Sequence, residues 1–263
     1  MERSIERAAK DLAGSGYAIA LTGAGISTES GIRDFRGPSG VWTKDPEAER
    51  RAYLSYQRFL DDPKAWWRES VTAARILGDL DKAEPNPGHY SLAELERLAV
   101  LKCVITQNID ALHEKAGTKS LLEYHGSVSK LRCVSCGSRF SRAGFSLEKM
   151  IEEDRLPPRC PQCHGVIKSD TVFFGEAIPG DVAHRSLEEA ERCDLMLICG
   201  TSAVVFPFAN LPRIARQRRG VTIIEVNAEP TPLTEERVSD YLIQGKTGEI
   251  LPEIVKAVKN IRG

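Results

Sequence analysis

The run Tyr17-Ala18-Ile19-Ala20-Leu21-Thr22 leads without a break into Gly23-Ala24-Gly25, and that junction constrains the fold more than any other stretch. A short apolar run closed by a glycine turn reads as a buried strand. Glycines at 23 and 25 leave a bare backbone that a phosphate can approach. This is the opening of a dinucleotide site. The usual fingerprint adds a third glycine, where this chain has Thr28, and an acid about 20 residues further on. Neither is present. The chain continues instead into Gly31-Ile32-Arg33-Asp34-Phe35-Arg36-Gly37, a glycine-bracketed loop with two cations, an acid and a ring, expected to close over a ligand. Within it, Arg36 is expected to meet a phosphate or ribose.

The later chain has an α/β rhythm. Pro46 to Asp81 fits short helices, with Trp66-Trp67 packing between them. Asn86-Pro87 reads as an N-cap and first turn. The strand Leu101–Ile105 ends in Thr106-Gln107-Asn108-Ile109-Asp110, a polar cluster where open parallel sheets hold their ligands. Further strands are expected at Thr171–Phe174, Asp194–Cys199, Val221–Val226 and Tyr241–Gln244, and a last helix with Ile250, Leu251, Ile254, Val255 and Val258 on one face. A chain of 263 residues suits one large domain with a smaller inserted module. With 36 Lys+Arg against 37 Asp+Glu, no global basic field exists to hold nucleic acid. The first residues read as an amphipathic helix rather than a signal peptide, and no apolar run reaches membrane-spanning length. The expected location is the cytoplasm.

Four of the seven cysteines form two pairs, Cys133-x2-Cys136 and Cys160-x2-Cys163. Two such knuckles offer four thiolates, the ligand set of a closed tetrahedral zinc site that holds a module together without touching substrate. Cys103, Cys193 and Cys199 lie in or beside apolar runs and read as buried small hydrophobes.

From about Ala18 to Glu249 the chain resembles the sirtuins, the NAD-dependent protein lysine deacylases. The resemblance rests on an ordered set: G-A-G-I-S, G-I-R-D-F-R, T-Q-N-I-D, the histidine of Y-H-G, the paired C-x-x-C, F-F-G-E, G-T-S at Gly200–Ser202, and V-N-A-E-P. It implies an α/β fold: a Rossmann-like parallel sheet domain (1–45, 86–126 and 172–263) and a smaller domain made of a helical insertion (46–85) and a zinc ribbon (127–171). NAD and the acyl-lysine would meet between them. The resemblance further implies NAD contacts at Gly23, Ala24, Gly25, Ser27, Thr28, Asp34, Phe35, Arg36, Gln107, Asn108, Ile109, Asp110, Gly200, Thr201, Ser202 and Asn227. Ser27, Asn108 and Asp110 would accept the nicotinamide carboxamide, and Asn227 the adenosine ribose. Val172, Phe174, Gly175 and Val205 would form the acyl-lysine channel and the peptide edges, with structural zinc on the four cysteines. The chain departs from the family pattern at Ser169-Asp170-Thr171 and at Phe206-Pro207-Phe208.

In that chemistry an amide oxygen attacks the ribose carbon as nicotinamide leaves, which requires a close and dry arrangement; Phe35 is the expected water shield. A base must then take a proton from a ribose hydroxyl. An imidazole suits that task at neutral pH, and the resemblance assigns it to His125. Taken alone, His125 reads first as a hydrogen-bonded structural residue, as His89, His113 and His184 do, and it is the resemblance that reverses this. Two further functions stay open on the residues: a dehydrogenase with structural zinc, and a non-catalytic NAD-binding module.

Overall fold

The computed structural model describes residues 1–34, 41–76 and 82–263. Its strands, in chain order, are β1 (Ala18–Thr22), β2 (Leu101–Thr106), β3 (Leu121–Glu123), β4 (Lys130–Cys133), β5 (Arg139–Ser141), β6 (Ile167–Ser169), β7 (Leu195–Cys199), β8 (Thr222–Asn227) and β9 (Tyr241–Gln244). Among the described residues, six of them form a parallel sheet in the order β3-β2-β1-β7-β8-β9. The chain builds outward from β1 on one side, then returns to β7 and builds outward on the other. The carboxyl ends of β1 and β7 are therefore the point where strand order reverses, and open parallel sheets hold their ligands in the crevice at such a point.

The helices are α1 (Glu2–Gly14), α2 (Val41–Lys44), α3 (Pro46–Asp61), α4 (Pro63–Ile76), α5 (Pro87–Arg97), α6 (Leu112–Lys115), α7 (Leu147–Glu152), α8 (Gly180–Arg192), α9 (Leu211–Arg216), α10 (Pro232–Glu235) and α11 (Thr247–Arg262). All five residues of β1 are buried, and their alternation feeds two cores. Ala18 and Ala20 face Ala8, Ala9 and Leu12 of α1, Leu92 and Leu95 of α5, and Ile250, Leu251 and Ile254 of α11. Ile19 and Leu21 face the opposite layer, with Val182 and Ala190 of α8, Leu211 and Ala215 of α9, and Phe208. Alanine suits the face that three helices approach, whereas larger side chains fill the other.

A third core joins Trp67 and Val71 of α4 to Leu131, Leu147, Leu156 and Ile167. Trp67 is fully buried, and its indole N–H donates to the Ile167 carbonyl at 2.8 Å. These residues pack around the antiparallel sheet β5-β4-β6, so the two tryptophans serve packing.

Two expectations need correction. The 46–76 stretch forms helices of 16 and 14 residues rather than short ones. Asp45 caps α3 through the Ala48 N–H at 3.1 Å, and Asp62 accepts from Ala65 N–H at 2.9 Å, so Pro46 and Pro63 begin helices instead of breaking them. Residues 171–174 are not a strand but an extended loop entering a turn; the regular strand is β6, just before. The loop's donors find single partners rather than a ladder, with Val172 N–H on His125 O at 2.8 Å and Phe173 N–H on a Glu176 carboxylate oxygen at 3.0 Å. Among the described residues no helix is long and apolar enough to cross a membrane.

Candidate active site

Gly23 N–H reaches Cys199 O at 3.3 Å and Gly25 N–H reaches Gly200 O at 2.7 Å, so the β1 and β7 loops cross in contact. A Cβ on Gly25 would lie 2.8 Å from Gly200 Cα, and one on Gly200, whose φ is +60°, would lie 2.2 Å from Ile26 N. The glycines thus have a structural task at the switch point, apart from any approach by a phosphate. From Ala24 to Ser30 the chain makes a 3-10 segment, in which half-buried Ala24 precedes exposed Thr28 and the Thr28 hydroxyl donates to Gly25 O at 2.9 Å. Asp34 is half-buried. Phe35 and Arg36 lie outside the described residues.

Ser27, at 1% exposure, lies on the buried side of this segment. Its hydroxyl donates to Asp110 Oδ2 at 2.7 Å and accepts from Asn108 Nδ2 at 3.0 Å. His89 Nε2 approaches it at 3.4 Å. One donor and two acceptor positions complete the hydroxyl's capacity. Asn108 gives its second amide hydrogen to Gly23 O at 3.0 Å, so Oδ1 is the atom it can offer a ligand. Asp110 is buried and caps the next turn by accepting from Leu112 N–H at 2.9 Å. Ile109 O accepts from Val128 N–H at 2.9 Å.

Sequence alone makes His89 a structural residue, yet it belongs to this cluster. It stands third in α5, where its Nδ1 accepts the Asn86 N–H at 3.3 Å; the proton therefore resides on Nε2, toward Ser27. Burial lowers its pKa to about 4, with Asp110 opposing. Behind it, His113 bonds Thr22 Oγ1 at 2.9 Å and lies 4.9 Å ring to ring from His89. Burial, and then His89, hold its pKa well below 6.5. The spacing Asn86-Pro87-Gly88-His89 was the available signal, a histidine at the third helical position behind an Asn cap.

His125 lies two residues beyond the end of β3. Its Nδ1 lies 3.1 Å from Gln107 O; a carbonyl only accepts, so Nδ1 carries the proton and Nε2 keeps its lone pair. Burial lowers the ring's pKa below 6.5, and the bond to Gln107 opposes this. The imidazole is therefore neutral at pH 7 and basic at Nε2. Next to it, the Val172 N–H bond to His125 O draws in the loop that carries Phe174 and Gly175. Phe174 packs against Tyr53 of α3, ring centroids 4.4 Å apart. Val205, half-buried, accepts from Ala209 N–H at 2.9 Å.

On the far side of the crevice, Thr201 N–H donates to Asn227 Oδ1 at 2.9 Å, and Gln107 Nε2 donates to Thr201 Oγ1 at 2.7 Å. Ser202 is exposed at the rim. The ends of β1, β2, β3, β7 and β8 thus bring Ser27, Gln107, Asn108, Asp110, His125, Thr201 and Asn227 to one edge of the sheet.

The Sγ atoms of Cys133, Cys136, Cys160 and Cys163 all lie within 4.8 Å of one another, with Cys133–Cys163 at 3.5 Å and Cys136–Cys160 at 3.8 Å. A tetrahedral site with zinc–sulfur bonds of about 2.3 Å requires sulfur–sulfur edges of about 3.8 Å. The four thiols fit that ion.

Residues 23–207 match the model of the Sir2 family. The NAD-dependent protein deacylase 2 of Archaeoglobus fulgidus is 44% identical over 264 residues, covering 100% of this chain and 99% of its own. Among solved structures, a Sir2 homologue in complex with NAD superposes with a TM-score of 0.79 at 41% identity, covering 98% of this chain and 95% of the other. A Sir2 protein bound to a myristoylated histone peptide gives 0.70 at 38% identity, over 100% and 99%. Similarity of that extent, over a sheet whose strand ends gather the same ordered motifs, leads to one conclusion: the chain belongs to the Sir2 family.

Proposed function

We infer that the chain is an NAD-dependent protein lysine deacylase, which moves an acyl group from lysine to ADP-ribose and yields nicotinamide, free lysine and O-acyl-ADP-ribose. The observation that carries the reading is His125: a neutral imidazole, its tautomer set by Gln107 O, standing at the strand ends beside the switch-point crevice. NAD, as co-substrate, lies across the ends of β1 and β7. Gly23, Ala24, Gly25, Thr28, Asp34, Phe35, Arg36, Gln107, Ile109, Gly200, Thr201 and Ser202 line it, and Asn227 meets the adenosine ribose. Asn108, through Oδ1, and Asp110, supported by Ser27, receive the carboxamide of nicotinamide. Phe35 excludes water while the amide oxygen of the acyl-lysine attacks the ribose carbon. His125 Nε2 then takes the proton of a ribose hydroxyl, whose oxygen attacks the acyl carbon.

Acyl-lysine enters between Val172, Phe174 and Gly175 on one side and Val205 on the other, its peptide partners being acylated proteins. Neither nucleic acid nor a membrane is a partner in this reading. The sheet domain comprises 1–45, 86–126 and 172–263, and the helical insertion 46–85 joins the ribbon 127–171 as the small domain; the third core, shared by α4 and the ribbon, supports that division. Zinc on Cys133, Cys136, Cys160 and Cys163 holds the ribbon, and four protein ligands leave it no open position for chemistry. Cysteines used as metal ligands rather than in disulfides suit the reducing cytoplasm.

Mass spectrometry of products from the protein, NAD and an acyl-lysine peptide panel tests the reading. Nicotinamide and O-acyl-ADP-ribose in equal amounts are expected; reduced cofactor, or NAD left intact, would overturn it.

A further inference from the structure

Lys168 is the anomaly of the small sheet. It lies in β6, whose three residues are all buried, and is itself 1% exposed. Lysine is almost never fully buried without partners, and an apolar residue of similar volume would avoid the cost of desolvating a cation. Its partners show what the charge gathers. Nζ donates to Ser169 O at 2.7 Å and to Thr171 O at 2.8 Å, and lies 3.1 Å from Glu176 Oε2. It also stands 4.5 Å from the centre of the Phe173 ring. Two carbonyls and a carboxylate converge on one point only if a strong donor sits among them. Burial pushes the amine down to about 8 while Glu176 pulls it back, so the group remains cationic at neutral pH.

Every one of those partners belongs to 169–176, the segment that carries the proposed peptide edge. Glu176 extends the clamp, since its carboxylate also accepts from Phe173 N–H at 3.0 Å and from Arg132 at 2.6 Å. Asp170 completes it, held by Arg139 at 3.0 Å and Arg132 at 3.6 Å. The clamp bears on a choice the sequence leaves open, because Phe173 and Phe174 are adjacent and chemically identical. With the ammonium beneath it, Phe173 sits among Trp66 at 5.3 Å, Tyr56 at 6.3 Å and Phe59 at 6.5 Å. Phe174 instead meets Tyr53. A slip of one residue would exchange the two rings and pull Val172 N–H from His125 O.

We propose that Lys168 is the positioning residue of the peptide-binding edge: it sets the register of 169–176 and thereby the affinity for acyl-lysine peptide, while the NAD contacts stand apart from it. The proposal rests on the deacylase reading above.

The test compares wild type, Lys168→Met, Lys168→Arg and Glu176→Gln, each assayed with NAD and an acetyl-lysine peptide, with zinc per chain and Tm measured alongside. In Lys168→Met the peptide KM is expected to rise about tenfold or more, the scale of one charge-assisted hydrogen bond. Its NAD KM and zinc content should stay near wild type, and Lys168→Arg should recover most of the loss. A folded, zinc-loaded Lys168→Met with the wild-type peptide KM would overturn the proposal, as would peptide and NAD KM rising together. If Lys168→Met does not fold, Glu176→Gln opens the same clamp from its other end, and an unchanged peptide KM there is equally fatal. A wild type that releases no nicotinamide with any acyl-lysine peptide sinks the deacylase reading itself; an active wild type with an unaffected Lys168→Met sinks only the role of the lysine.

Discussion

A single hydrogen bond decides what His125 can do. With Nδ1–H held by Gln107 O, Nε2 keeps its lone pair without rearrangement, and a pKa held below 6.5 by burial keeps it unprotonated at neutral pH, as the proposed general base requires. His125→Ala is expected to lower acyl transfer by about 10²–10⁴-fold, the usual range for a general base, while ADP-ribose binding by calorimetry stays near wild type. Turnover near that of wild type would remove His125 from the mechanism. His89 makes a different, pH-linked contribution. Its folded pKa of about 4 lies below the unfolded value near 6.5, so the unfolded chain binds the extra proton. Stability from this group is complete above pH 6.5 and is lost as pH falls toward 4, on the order of 3 kcal/mol in all. Thermal melts across that window should steepen with acid in wild type and flatten in His89→Gln; parallel curves would refute the assignment. The two histidines were not equally legible. His125 stands within a local motif, whereas His89 reads as a helix-start residue, and its contact with Ser27 joins positions far apart in the chain.

At the scale of elements, the strand-to-glycine junction was visible in sequence, but the purpose of its glycines was not, because their partner is the loop after β7. Gly200→Ala forces a side chain into a left-handed φ of +60° and against Ile26 N at 2.2 Å. Backbone strain of that kind alone costs about 1–3 kcal/mol, so a lower Tm and weaker NAD binding should appear together; an unchanged Tm would contradict the crossing. The 171–174 segment was misread as a strand because Val172, Phe173 and Phe174 are strong strand formers. Nothing in composition reveals that Glu176 and His125 take the N–H bonds a ladder would use. The cysteine spacing, by contrast, implied the four-sulfur cluster without help from the fold. Its removal is expected to melt the third core, since Cys133 and Cys160 pack there beside Trp67. Chelation, or Cys133→Ala, should red-shift tryptophan emission and reduce activity indirectly; a metal-free protein with native emission and activity would exclude a zinc-held module.

At the scale of the whole molecule, α3 and α4 meet the 172–175 loop, the proposed acyl-lysine edge, through rings distant in sequence, Tyr53 on Phe174 and Trp66 on Phe173. Sequence placed aromatic residues in the insertion but could not pair them. In the resembling family, members that take acidic acyl groups carry a Tyr-x-x-Arg pair in this region, and neither Tyr53 nor Tyr56 has an arginine three positions on. A carboxylate brought into an apolar channel without a cation bears a large desolvation cost. Among the arginines of α3 and α4 whose side chains are described, Arg50 pairs with Glu47 at 2.8 Å, Arg51 with Asp45 at 3.1 Å, Arg58 with Glu69, and Arg68 with Asp154 at 3.2 Å; the Arg75 side chain lies outside the described residues. To serve a succinyl group, one of these would have to leave its acid and turn toward the apolar contact of Tyr53 with Phe174. Acetyl and longer neutral acyl groups are therefore expected to be removed about tenfold or more faster than succinyl on the same peptide, as befits the loss of at least one charge-assisted contact. Competition between acetyl- and succinyl-lysine versions of one peptide measures this directly, and a kcat/KM for succinyl equal to or above that for acetyl would show that a cation does reach the channel.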